Sequence, residues 1–246
     1  MNTPSEKGAR PLSVIQLAAL GAFEARRLPA GCRILDAPCG DGSLAATLRG
    51  AGYDAYGIDM NASGLALLGS AYSDVNLNAR LPFADRSFEA ALSIEGIEHL
   101  ENRVGYVREL HRVLRPNGLL ILTTPNIVSL RSRVRFAGSG FFHGDSRPLR
   151  EAEPGPFHHI GLGTFPDFRY ILHTSGFRLM RVSHTHIKPV SLLYSWMIPW
   201  MWLYTAAAFR KEKDPAQRRA NREIRAALFS RSVLFGENLL VEAKRL

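Results

Sequence analysis

Between residues 34 and 59 the chain gathers side chains suited to a nucleotide-like ligand. Ile34-Leu35-Asp36-Ala37-Pro38-Cys39-Gly40-Asp41-Gly42-Ser43 joins a short apolar run to a turn with two glycines, where no side chain keeps a ligand off the backbone. A helix starting at Ser43 would offer free N–H groups to an anionic group. About twenty residues on, Tyr56-Gly57-Ile58-Asp59 ends a second apolar run with an acid placed to accept from ribose hydroxyls. Ser43-Leu44-Ala45 follows Gly42, so the third glycine of G-x-G-x-x-G is missing and a pyrophosphate ligand is disfavoured. A second group, Glu95, Glu98 and His99, has i, i+3, i+4 spacing and would share one face of a helical turn. Two carboxylates and an imidazole suit Mg²⁺, Mn²⁺ or Zn²⁺, and such an ion lowers the pKa of a hydroxyl acceptor. A base for a hydroxyl acceptor is sought among His99, His143, His158 and His159, each of which also suits a structural or surface place.

These residues need an alternating scaffold. An amphipathic helix over Leu12 to Arg27 leads into a strand Arg33 to Asp36, a helix Ser43 to Gly50, a strand Ala55 to Asp59 and a weaker helix Ala62 to Leu68. A strand Ala90 to Ile94 and a helix Val104 to Leu114 follow. Arg115-Pro116-Asn117-Gly118 stops that helix before the strand Leu119 to Thr123. After an irregular stretch to Pro166 come a helix Asp167 to Ser175, a strand Arg178 to His184 and a last strand Asn238 to Ala243. Repeated βα units imply a parallel sheet with helices on both faces.

The order Asp-x-Pro-Cys-Gly-x-Gly at Asp36 to Gly42 resembles the first motif of class I S-adenosylmethionine (SAM) methyltransferases, with Gly57-Ile58-Asp59 as the second. Leu81-Pro82-Phe83 to Phe88-Glu89 resembles a third, and Leu110-His111-Arg112-Val113-Leu114-Arg115-Pro116-Asn117-Gly118 to Thr123-Thr124-Pro125-Asn126 resembles the fourth helix and fifth strand. The likeness, to type 11 and ubiquinone-biosynthesis O-methyltransferases, spans about Ile34 to Asn126. It implies a Rossmann-like, doubly wound α/β sheet of seven strands in the order 3-2-1-4-5-7-6, strand 7 antiparallel, with a helical apolar insertion between the last two strands. It also implies SAM as cofactor, bound by Asp36, Pro38, Cys39, Gly40, Gly42, Asp59, Met60, Asn76, Leu77 and Glu95. Asn76 stands where the family commonly has an acid facing the adenine amino group. Glu-x-x-Glu-His at Glu95 to His99 resembles the metal motif of ubiquinone-biosynthesis and small-RNA 2′-O-methyltransferases. That likeness implies a divalent ion, Mg²⁺ foremost, on Glu95, Glu98, His99 and a later histidine at the distance of His158 and His159, with His159 as the ligand. Many relatives use no metal; Glu95 then lines the SAM pocket, and His99, His158 and His159 remain as bases. The pair His158-His159 is favoured because it follows strand five, over the expected methyl position.

At 246 residues one α/β domain with an elaboration is expected: a helical N-terminal cover (1–30), an irregular substrate loop (127–166) and an apolar and basic helical insertion (188–235). Two cysteines, Cys32 and Cys39, make no disulfide framework. The polar start Met1 to Glu6 shows no signal core, so a cytoplasmic place is expected, with a peripheral position at the inner membrane face as an extension. The net charge of +9 suits nucleic acid, an anionic membrane or a phosphorylated substrate. Val190 to Phe209 runs twenty residues without a charge and holds all three tryptophans. Pro199 interrupts it and its composition is interfacial, so contact with a membrane through 190–225 is expected, a buried lid or dimer interface being the alternative. The function expected is SAM-dependent O-methylation of a small or lipid-linked acceptor, a glycan or a prenylated precursor, akin to bacterial surface-glycan methyltransferases. The alternatives are an RNA 2′-O-methyltransferase, against which no RNA-binding module is recognisable in this sequence, and a non-catalytic partner subunit.

Overall fold

The computed structural model describes residues 10–145, 147–153, 155 and 157–246; the reading of Met1 to Glu6 lies outside them. Ser13 opens α1 (Val14–Glu24) with a capping box shared with Gln16, so two orphan N–H groups are satisfied at once. Then come β1 (Arg33–Asp36), α2 (Ser43–Gly50), β2 (Asp54–Asp59), α3 (Leu65–Leu68), β3 (Tyr72–Asp74), β4 (Phe88–Ile94), α4 (Arg103–Val113) and β5 (Leu114–Pro125). The second half holds α5 (Leu130–Ser139), α6 (Phe165–Thr174), β6 (Phe177–His184), α7 (Ile198–Phe209), α8 (Pro215–Leu228), α9 (Arg231–Phe235) and β7 (Asn238–Arg245).

The sheet order is β3-β2-β1-β4-β5-β7-β6, as expected. The first five strands are parallel, and β7 runs antiparallel to both β5 and β6. Side chains alternate between two apolar cores because the strand period is two. Leu35, Ala91, Leu120 and Leu122 pack with Tyr106, Val107 and Leu110 of α4 and Phe165 and Phe168 of α6. Ile34, Ala90, Leu92 and Ile121 pack with Phe23 of α1 and Leu44 and Leu48 of α2. Arg26, just past α1, donates through Nε to buried Glu242 of β7 at 2.7 Å, which fastens the leading helix across the sheet.

Three departures from the sequence reading have local causes. Arg115 to Gly118 does not separate helix from strand: β5 already pairs at Leu114 with Phe88, and the tetrapeptide bulges out before pairing resumes at Leu119 with Ala90, with Asn117 at φ +66°. The stretch expected to be irregular contains α5, capped by Ser129 accepting from the Ser132 N–H and ended by Gly140 at φ +75°. Pro199, expected to break the apolar run, sits in the first turn of α7 after a 3₁₀ segment Pro189–Met197, where its missing N–H costs nothing. No helix among the described residues is long and apolar enough to cross a membrane.

Candidate active site

The strand order reverses between β1 and β4, and the carboxyl ends of β1, β2 and β4 open there onto one cleft, the usual ligand crevice of a doubly wound sheet. The cleft offers about 750 Å³ of empty space counting its mouth, within the range of small-molecule sites. Asp36, Pro38, Cys39, Gly40, Asp59, Met60, Leu77, Glu95 and His99 all line it.

The two glycines of the β1–α2 turn have separate reasons. Gly40 has φ +55° and a Cβ built on it would meet nothing within 4 Å: open ligand space lies in front of this backbone. Gly42 has φ +82°, and a Cβ there would meet Leu68 at 2.9 Å, so it is needed for packing and does not line the cleft. Asp59, buried at the tip of β2, accepts from the Gly40 N–H at 2.8 Å and the Asn61 N–H at 3.0 Å. It thereby fixes the turn while keeping lone pairs for a ligand. Asp36 is buried with Oδ2 unpartnered. Burial, with Asp59 and Asp41 nearby, holds its carboxyl well above the usual carboxylate range.

Glu95 follows β4 at φ +48°. The Thr123 hydroxyl accepts from its N–H at 3.0 Å and donates to its Oε1 at 2.9 Å, and the Asn238 amide donates to Oε2 at 2.7 Å. Burial pushes Glu95 up to about 7 against the opposing pull of these two side chains. The expected helical turn is a 3₁₀ turn beginning only at Ile97, which leaves Glu95 out of the cluster. Glu98, His99 and His159 instead bring one ligand atom each within 4.8 Å of one another. Glu98 is fully buried and neither carboxyl oxygen has a hydrogen-bond partner. Burial and then the Glu95 charge push its pKa well above the ordinary value.

His99 places Nδ1 3.3 Å from the His158 carbonyl oxygen. A carbonyl only accepts, so this contact puts the proton on Nδ1 and leaves Nε2 as the free base. Burial, then His159, lowers the His99 pKa; the rings of His99 and His159 are 4.7 Å apart. His159 Nδ1 is 3.5 Å from Asp145. His158 contributes its carbonyl and does not line the cleft. His143 is elsewhere, 3.0 Å from Glu237. Asn76 is exposed and its Oδ1 accepts from the Asn78 N–H; the adjacent Leu77 is the one lining the cleft. Sequence reasoning missed Gln16, Asn61 and Phe157, which also line it, and Thr123 and Asn238, which hold Glu95. Thr123 lies inside the quoted Thr-Thr-Pro-Asn run.

Residues 35–122 match a family model described as a methyltransferase domain. The chain is 29% identical over 154 residues, 61% of its length and 53% of the relative's, to a probable S-adenosylmethionine-dependent methyltransferase of Mycolicibacterium smegmatis. It is 30% identical over 126 residues, 48% of its length and 53% of the relative's, to a ubiquinone biosynthesis O-methyltransferase of Xanthomonas axonopodis pv. citri. It thus spans about half the length of these curated relatives. A SAM dependent methyltransferase from Archaeoglobus fulgidus shares the fold with a TM-score of 0.56 at 16% identity, covering 94% of each chain.

Proposed function

We propose that this chain, which carries a methyltransferase domain over residues 35–122 on a class I methyltransferase fold, methylates a hydroxyl oxygen of a small, membrane-borne acceptor with SAM. The observation that carries the SAM half is the Asp59–Gly40 contact at the mouth of an open glycine turn. The residues fit the cofactor: Asp59 has lone pairs for the ribose hydroxyls, the bare backbone of Gly40 admits the methionine part, and Met60 and Leu77 offer apolar contact. Glu95, ionising near neutrality, suits a cationic ligand. When bound, SAM supplies an electrophilic methyl on a sulfonium sulfur.

For the oxygen acceptor the base is His99. Its Nδ1–H is held by the His158 carbonyl, its lowered pKa keeps Nε2 unprotonated at neutral pH, and Nε2 would take the acceptor's hydroxyl proton, the methyl being supplied by SAM, whose sulfur would leave as the thioether of S-adenosylhomocysteine. Positioning of the acceptor in line supplies the larger part of the acceleration. Phe157, 74% exposed beside the cleft, gives an apolar acceptor a surface to lie against. The named relative in ubiquinone biosynthesis suggests a hydroxylated ring on a prenyl chain as one such acceptor, and a lipid-linked glycan is another. Residues 190–225 would bring the chain to the membrane carrying it, at the cytoplasmic face.

A metal-assisted variant of the same reaction rests on Glu98, whose two buried, unpartnered oxygens fit a cation. Glu98, His99 and His159 would then hold a divalent ion that lowers the acceptor's pKa, in place of His99 as base.

Calorimetric titration with SAM and with S-adenosylhomocysteine tests the cofactor, and methyl transfer to a prenylated catechol and to a lipid-linked sugar tests the acceptor. Absence of binding by both cofactor forms sinks the reading. His99→Gln should retain SAM affinity and lose transfer.

A further inference from the structure

The helical insertion between β6 and β7 exposes what globular proteins bury. α7 reads Ile-Pro-Trp-Met-Trp-Leu-Tyr-Thr-Ala-Ala-Ala-Phe and has no buried residue. Leu193, Trp196, Trp200 and Tyr204 are each at least 70% exposed. A contiguous apolar surface of this kind marks a contact site.

The adjoining surface is cationic. From 210 to 231 the chain carries eight lysines and arginines against three acids, and one of those acids, Glu223, is taken by Arg169. On α8, Arg218, Arg222 and Arg225 follow i, i+4, i+7 spacing and face one side. With Arg210 they line a groove whose apolar wall is Ala206 and Phe209 at the end of α7. Among the described residues none of these four arginines makes an ion pair; Arg225 instead lies over the Trp202 ring at 5.3 Å. Guanidinium groups beside an apolar wall match a phosphate that carries an acyl chain.

We propose that the α7–α8 hairpin is a docking element for an anionic lipid bilayer. The Trp- and Leu-rich surface of the 3₁₀ segment and α7 enters the head-group boundary, and the groove of Arg210, Arg218, Arg222 and Arg225 takes lipid phosphates. At twelve residues α7 is about 18 Å long, short of the bilayer's hydrocarbon core, so it lies along the surface as interfacial helices do. A second copy of this chain is the poorer occupant: a two-fold contact sets each patch against itself and would bring the arginine grooves of two chains, each at +9, together. RNA suits the arginines and leaves the apolar surface uncovered. The inference extends the membrane-borne acceptor proposed above, yet SAM titration of the same sample reports separately on the cofactor.

Because Trp196, Trp200 and Trp202 are the chain's only tryptophans, intrinsic fluorescence reads this surface alone. Vesicles of phosphatidylcholine with phosphatidylglycerol should shift the emission to the blue and co-sediment with the full chain; phosphatidylcholine alone should do neither. Arg218→Ala/Arg222→Ala should lower partitioning about thirtyfold and Trp196→Ser/Trp200→Ser should weaken the salt-resistant part, both with wild-type SAM affinity, which shows that they fold. No shift and no co-sedimentation with anionic vesicles overturns the proposal. So does a blue shift that follows protein concentration or an oligoribonucleotide without vesicles.

Discussion

Asn238, the first residue of β7, donates its side-chain amide to Oε2 of Glu95 at 2.7 Å, so the last strand of the chain restrains an acid at the tip of β4 inside the cleft. The contact spans 143 residues of sequence. It opposes the burial that raises Glu95 to about 7, because a donor to the carboxylate favours its charged form.

SAM affinity should therefore depend on pH through neutrality. Glu95 gains its charge as pH rises past about 7, and a cationic ligand prefers the ionised form, so affinity should rise from mildly acidic to mildly basic buffer. Glu95→Gln should flatten the profile, and Asn238→Ala should move its midpoint upward by removing a donor. Calorimetry at several pH values checks this; a wild-type affinity independent of pH would sink the role given to Glu95.

Asp59 has two roles. It accepts from two backbone N–H groups, so Asp59→Ala should cost stability as well as ligand, on the order of 2 kcal/mol for hydrogen bonds to a charged group. SAM affinity should fall at least about a hundredfold, the equivalent of about 2.7 kcal/mol. Asp59→Asn keeps one acceptor and should recover more of the melting temperature than of the affinity. Equal recovery of both would mean that Asp59 is structural and leaves the ribose to other residues.

The parts of this site legible in the sequence are those set by neighbours along the chain. Asp36, Gly40 and Asp59 belong to two adjacent βα units, where strand, turn and helix follow at short range and the parallel register brings Asp36 beside Gly57. The Glu98–His159 approach and the hold of Thr123 and Asn238 on Glu95 depend on how distant segments pack, which spacing does not encode. The i, i+3, i+4 spacing groups Glu95 with Glu98 and His99 only on an α-helical turn, whereas the turn formed is 3₁₀ and starts at Ile97. The α5 helix, inside the stretch expected to be irregular, did have local signals, Ser129 as its cap and Gly140 as its stop.

Glu98 permits a clear test of metal use. A carboxyl buried without partners stays neutral, unless an ion joins it with His99 and His159. If an ion binds, titration with Mn²⁺ or Zn²⁺ should show one site that strengthens with rising pH, since binding must release the Glu98 proton, and Glu98→Gln should abolish it. If no ion binds to wild type, the metal-assisted variant is lost, and Glu98→Gln, a neutral replacement of similar shape, should change stability by less than about 1 kcal/mol.

Stability should depend on acid through Glu237. It is buried and meets two cations, Arg131 of α5 at 2.9 Å and Lys188 at the base of the insertion at 3.1 Å, and the His143 ring from the loop after α5 at 3.0 Å. Burial alone would raise its pKa, but Lys188 and Arg131 overcome that and hold it below the ordinary value. A depressed folded pKa gives stability that is present above the unfolded value of about 4.3 and lost as pH falls through the folded one. Glu237→Gln should thus cost on the order of 2 kcal/mol near neutral pH, the effect of weakening hydrogen bonds between charged groups around a buried carboxylate, and much less in strong acid, where wild type has lost the same charge. Melting curves of both proteins across that range check the prediction. A cost that stays constant down to the lowest pH would assign the stabilisation to shape and not to charge. Because Lys188 immediately precedes the 3₁₀ segment Pro189–Met197, the variant should also loosen the base of the insertion, and proteolysis there should quicken at neutral pH while the cleft still binds SAM.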